Sequence, residues 1–233
     1  MYRLENEKSL KLYGKGFDKV RNVAEWDSEV SEDRIDEDTW QERYKQEARL
    51  VTHTLNKYKC NKVLELGSGP GVLGQLVMKD VVVDYTFVDK EGARKVHEKR
   101  GYSGSFFVKD LYNVAELDDL AENYDFVMAN DFLEHIANPS EVLRKLYERS
   151  ADEAYCMFSV PNWRMGHTFI YRGLFDFDNF AYFMSTHGWK PVEVGGSALK
   201  TSRFPRLDSE KDMPEHLLDS WNWYFIGKKI TDG

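Results

Sequence analysis

The chain has 233 residues, of which 42% are hydrophobic, 31% charged and 14% aromatic, too aromatic for a disordered chain and too polar for a membrane protein. No apolar run approaches the roughly 20 residues that cross a bilayer, and Met1 leads into Tyr2-Arg3-Leu4-Glu5 rather than a signal-like stretch, so the cytosol is the expected compartment. With 32 Lys and Arg against 40 Asp and Glu, the formal charge of −8 argues against a broad phosphate-binding surface and against nucleic acid as a partner.

The first 38 residues form a charge-rich arm whose end, Ser28 to Asp38, is an acidic run expected to face solvent. Asp38 or Thr39 can cap a helix through Tyr58, because Trp40, Tyr44, Ala48, Val51 and Leu55 recur every three or four positions. Val63-Leu64-Glu65-Leu66 reads as a strand ending in glycines, and Val72 to Lys79 as the next helix. Tyr85 to Asp89 is a second strand before a charged helix from Glu91 to Arg100. Ser105 to Val108 is a third, before a weaker helical segment. Tyr124 to Ala129 pairs with a helix from Pro139 to Arg149, and Ala154 to Val160 is a fifth strand. Strands separated by helices imply parallel pairing. Phe175 to His187 is helix-like, Trp189 to Val194 strand-like, and 195–220 a long excursion with Pro205 and Pro214. Trp221 to Gly227 is a final strand aromatic enough to pack on both faces. One domain over 39–233 is expected, with a helical cover at its start and a substrate-side insertion near 195–220. Cys60 and Cys156 lack redox spacing, and the apolar surroundings of Cys156 make it a buried thiol.

Gly67, Gly69 and Gly71 follow a strand and precede a helix, where missing side chains allow a tight turn and close ligand approach. Asp89 ends the second strand 22 positions after Gly67, near the roughly 20 expected of an acidic residue reading ribose hydroxyls. That spacing also suits a nicotinamide dinucleotide, but Pro70 and Val72 depart from G-x-G-x-x-G. Val63 to Gly71 resembles the first motif of class I S-adenosylmethionine-dependent methyltransferases. Tyr124 to Pro139, with Glu134-His135 before Asn138-Pro139, resembles the fourth-strand region of their small-molecule branches. The resemblance implies a Rossmann-like α/β fold: a mostly parallel seven-stranded sheet flanked by helices, its seventh strand antiparallel. It implies S-adenosyl-L-methionine as cofactor and a small-molecule methyl acceptor. Glu65 would lie near the methionine amino end, Gly67, Ser68, Gly69, Gly71 and Lys90 beside the cofactor, Asp89 at the ribose, and Asp110 with Leu111 at adenine. Asn130 joins this set or meets substrate.

Methyl transfer needs an aligned nucleophile and a site that limits water. His135 can accept a proton near neutral pH or orient the loop through the backbone. His167 and Asp131 are the other catalytic candidates, and Trp163, Tyr171 and Arg172 can enclose an acceptor. Asn130-Asp131-Phe132 departs from the N-P-P-Y motif of amino-group methylating enzymes. An alternative groups Asp131, Glu134, His135 and His167 as a divalent-metal site, which resembles that of RNA 2'-hydroxyl methyltransferases and would acidify a hydroxyl acceptor. The preferred reading is metal-independent, because Asp131 replaces that family's Glu and no basic tract is evident. A noncatalytic S-adenosylmethionine-binding module is the remaining alternative.

Overall fold

A computed structural model of the chain describes residues 36, 38–161, 177–197 and 222–231. Most of the acidic arm, the segment carrying Trp163, His167, Tyr171 and Arg172, and most of the excursion lie outside those residues. Helix α1 (Asp38–Tyr58) contains neither Gly nor Pro and buries Ala48, Val51 and Leu55 along one stripe. It stops at Lys59, which adopts a left-handed φ of 58°, while the Cys60 N–H donates to the Leu55 carbonyl at 2.9 Å, a geometry that satisfies a terminal helix carbonyl. Asn61 and Lys62 then donate backbone N–H groups to the Asp125 carboxylate at 2.8–3.0 Å. These bonds fix where β1 (Lys62–Leu66) enters the sheet.

The other elements are α2 (Val72–Asp80), β2 (Asp84–Asp89), α3 (Glu91–Lys99), β3 (Ser105–Val108), β4 (Tyr124–Asn130), α4 (Pro139–Arg149), β5 (Ser150–Pro161), α5 (Phe177–Thr186), β6 (Trp189–Ser197) and β7 (Asn222–Lys229). The strand order is β3-β2-β1-β4-β5-β7-β6. The first five strands pair in parallel, and β7 is antiparallel to both of its neighbours. The chain builds outward from β1 to β3, then restarts at β4 on the other side of β1. That reversal opens a crevice at the carboxyl ends of β1 and β4.

Alternation along the strands makes two apolar layers. Val63, Phe87, Met128, Met157 and Tyr224 pack with α1 and α2. Leu64, Val127, Phe158, Trp223 and Phe225 pack with α4 and α5 on the opposite face. Asn222 to Gly227 is buried throughout, which accounts for the aromatic run on both faces of β7. None of the described helices is long and apolar enough to cross a membrane.

Three boundaries depart from the sequence expectation. The segment after β3 forms a 3-10 turn (Val114–Asp119) rather than a helix. Asp110 diverts it: its Oδ1 accepts the Tyr112 N–H at 3.1 Å and its carbonyl accepts the Asn113 N–H at 2.8 Å. β5 begins at Ser150, directly after α4, and its pairing with β4 shifts register before Phe126 meets Tyr155. β6 continues through Gly195 and Gly196, which pair with Tyr224 and Trp223, because β7 offers a partner for every residue of that stretch.

Candidate active site

β1 delivers the chain to the crevice at Gly67. Gly67, Gly69 and Gly71 take φ of 66°, 54° and 87°, the left-handed region that disfavours a Cβ. Gly67 carries a second constraint, since an added Cβ would stand 2.5 Å from the Phe132 ring. The turn is fastened to β2: the Gly67 N–H donates to the Val88 carbonyl at 2.9 Å, and the Gly69 N–H to Asp89 Oδ2 at 2.6 Å. Asp89 Oδ1 accepts the Lys90 N–H at 2.7 Å, and the Ser68 hydroxyl donates to the Gly69 carbonyl at 3.1 Å. Buried His97 of α3 holds the turn from beneath, with Nδ1 3.0 Å from the Pro70 carbonyl, a contact that requires the proton on that nitrogen.

Glu65 points to the α1 side, 3% exposed, and accepts the Tyr85 hydroxyl at 2.9 Å. Burial pushes its carboxyl up to about 8, the Tyr85 hydrogen bond opposing and the Glu47 and Asp89 charges reinforcing. Asp110 is exposed and its N–H donates to Glu116 Oε2 at 2.8 Å. Leu111 is buried beside it, and the Lys90 ammonium lies 5.1 Å from the centre of the Tyr112 ring.

On the sheet face under α1, Asn130 pairs in register with Ser159 and Ser159 with Tyr224, forming a polar row beyond the apolar row of Met128, Met157 and Ile226. Asp131 leaves β4 with a φ of 48°. Its N–H donates to the Ser159 carbonyl at 3.1 Å. Its carboxylate accepts the Ser159 hydroxyl at 2.9 Å and the Asn222 amide at 2.5 Å, and it pairs with the Arg43 guanidinium of α1. Arg43 also binds Glu47 at 2.8 Å, and Glu47 accepts the Tyr224 hydroxyl at 2.7 Å. Burial raises the Asp131 carboxyl, but Arg43, Asn222 and Ser159 outweigh it and hold it below its ordinary value. Glu134 is fully buried, and burial reinforced by the Asp131 charge keeps its carboxyl well above the usual range. The His135 Nε2 lies 3.5 Å from Glu134.

Glu65, the glycines, Asp89, Asn130, Asp131 and His135 therefore all belong to the carboxyl end of the sheet, with Asp110 and Leu111 just past β3. His167 lies outside the described residues. Among the described residues, no three His, Cys, Asp or Glu side chains group to hold a metal ion. Arg43, Glu47, Tyr85, His97, Asn222 and Tyr224 are parts of this end that sequence reasoning missed. One signal was available: Arg43 and Glu47 continue, at steps of four, into Val51 and Leu55, so two charges sit on a buried stripe.

A family model described as a methyltransferase domain matches residues 38–195. No curated protein matches the sequence. The N-methyltransferase NodS from Bradyrhizobium japonicum WM9, solved with S-adenosyl-l-homocysteine, is 15% identical with a TM-score of 0.59 over 94% of this chain and 98% of that one. An S-adenosylmethionine-dependent methyltransferase from Clostridium acetobutylicum ATCC 824 is 9% identical with a TM-score of 0.60 over 92% and 99%. The chain spans about half the length of an assigned O-methyltransferase from Nostoc punctiforme PCC 73102, 55% of it against 78% of this chain, at 16% identity and a TM-score of 0.56. The match over most of the chain, joined to a seven-stranded sheet with one antiparallel strand and a glycine turn at its switch point, identifies the chain as a member of the methyltransferase-domain family, on the Rossmann-like fold of S-adenosylmethionine-dependent methyltransferases.

Proposed function

We propose that the chain transfers the methyl group of S-adenosylmethionine to a small-molecule acceptor by direct in-line displacement. The observation that carries this reading is an orphaned group in the crevice. Both polar atoms of the Asn130 amide are buried with no hydrogen-bond partner among the described residues, a state costing about 1–3 kcal/mol that a ligand's polar group relieves. Asn130 ends β4, the strand beside β1, so the orphaned amide lies at the same end of the sheet as the glycine turn. The NodS structure, with its bound S-adenosyl-l-homocysteine, supports the same choice of ligand.

In this reading Asp89 takes the ribose diol with Lys90 beside it, and the Gly67 to Gly71 backbone with Ser68 runs along the cofactor. Glu65 serves the methionine amino end, and Asp110 with Leu111 borders adenine. S-adenosylmethionine supplies an electrophilic methyl on a sulfonium, and the protein's part is alignment and exclusion of water. His135 and His167 are the proposed proton acceptors. Asp131 has Arg43, Ser159 and Asn222 on its carboxylate, which suits it to orienting the loop. A small acceptor fits the acidic balance of the chain, α1 is the proposed cover of the site, and the cytosol is the proposed compartment.

The test is a crystal structure with S-adenosylhomocysteine, together with metal analysis and calorimetric titration of the wild type and Asp89→Ala. Ribose contacts from Asp89 are expected, with affinity falling about 10- to 100-fold in the variant, the weight of hydrogen bonds to a charged group. Electron density for a nicotinamide dinucleotide in the crevice would overturn the assignment.

A further inference from the structure

Arg43 stands on the buried side of α1, where a guanidinium is expensive to desolvate unless paired. Its partner Asp131 is a non-glycine residue at a φ of 48°, a strained conformation that persists only where the surroundings over-determine it. Three elements do so here: Arg43 from α1, Ser159 from β5 and Asn222 from β7 all hold its carboxylate. The left-handed step turns the next residue, Phe132, back toward β1. Its ring lies so close to Gly67 that a Cβ there would be 2.5 Å from Cδ2 and 2.7 Å from Cγ. The Phe132 carbonyl is fixed in turn by the His135 N–H at 3.0 Å, so the ring stands on a braced backbone.

We propose that Arg43 is a positioning residue for the glycine turn, acting through Asp131 and Phe132. The inference rests on the reading of that turn as the methyl-donor site. Without the guanidinium, Asp131 relaxes from its left-handed conformation, Phe132 withdraws, and Gly67 loses the wall that limits its movement. Helix α1 and the glycine turn then form one mechanical unit. A ligand that stiffens the turn also stiffens α1, since coupling between two sites is reciprocal.

The experiment titrates S-adenosylhomocysteine into the wild type, Arg43→Met, Arg43→Lys, Phe132→Ala and the Arg43→Met/Phe132→Ala double variant. It is done by calorimetry well below each variant's melting temperature. Arg43→Met is expected to weaken binding about tenfold, within the usual range of coupling energies, and Arg43→Lys to recover part of the loss. In the Phe132→Ala background the Arg43 substitution is expected to have no further effect. Amide exchange gives a second readout: the ligand slows residues 41–50 in the wild type and leaves them unchanged in Phe132→Ala. If Arg43→Met does not fold, the near-isosteric Asp131→Asn takes its place. Wild-type affinity in the Arg43 variant, or simple additivity in the double variant, overturns the inference. A wild type that fails to bind the ligand at all defeats the donor-site reading instead.

Discussion

Glu65 and Asp131 sit at the same end of the sheet, and their carboxyls shift in opposite directions. Burial outweighs the Tyr85 hydrogen bond at Glu65, so its folded-state value of about 8 lies above the ordinary 4.5. Between those values the folded state binds a proton that the unfolded state has lost, so the contribution of Glu65 is fully present below the lower value and disappears as pH rises to the upper one. Glu65→Gln is expected to gain on the wild type by up to about 1.4 kcal/mol per pH unit across that window, measured by urea melts at pH 5 to 8. Asp131 runs the other way: its lowered value gives stability above the ordinary carboxylate range that is lost on acidification. Gly67 and Gly69 form a second contrast. Gly69→Ala meets open space and is expected to cost only the left-handed term, about 1–2 kcal/mol. Gly67→Ala adds the collision with Phe132 and is expected to lower the melting temperature further and to suppress S-adenosylhomocysteine binding. The glycines and Asp89 were legible in the sequence because their spacing follows from one strand, one turn and the next strand. Arg43, Asn222 and Tyr224 were not, because their partners lie 88, 91 and 177 positions away, and local periodicity carries no information about such pairings.

At the scale of elements, α1 is tied down in two ways. Its middle is apolar, with Val51 and Leu55 at 0% and 1% exposure, and its far end pairs Lys57 and Tyr58 with Glu193 of β6. Leu55→Ala is expected to cost about 2–5 kcal/mol of global stability in a denaturant titration, because its side chain belongs to the same cluster as Val63 and Phe126 of the sheet. The helical stripe and the aromatic strand β7 were readable since each follows a simple period. The 3-10 turn after β3 was not, since Asp110 and Asn113 override the weak periodicity with local hydrogen bonds. The early start of β5 likewise involves a partner distant in sequence, the pairing of Ser150 with Tyr124 of β4.

At the scale of the molecule, the proposed division places residues 1–38 outside the domain. The contact described for that end is the exposed Asp36–Arg100 pair, of a kind that adds little to stability. Asp36→Ala is therefore expected to leave the thermal melt close to that of the wild type. The order of the sheet has a consequence for how the protein is made. β7 lies between β5 and β6, yet 60 positions separate Pro161 from Asn222. A ribosome adding about 5–20 residues per second needs several seconds to cover that distance. Throughout that interval β5 offers a bare hydrogen-bonding edge, and β6, once synthesised, has no neighbour to pair with. Asn222 and Tyr224, which brace Asp131 and Glu47, arrive with the same late strand. Sealing the sheet and completing the hydrogen bonds around Asp131 and Glu47 are thus a single event, and a nascent chain halted before β7 lacks both and is open to pairing with its neighbours.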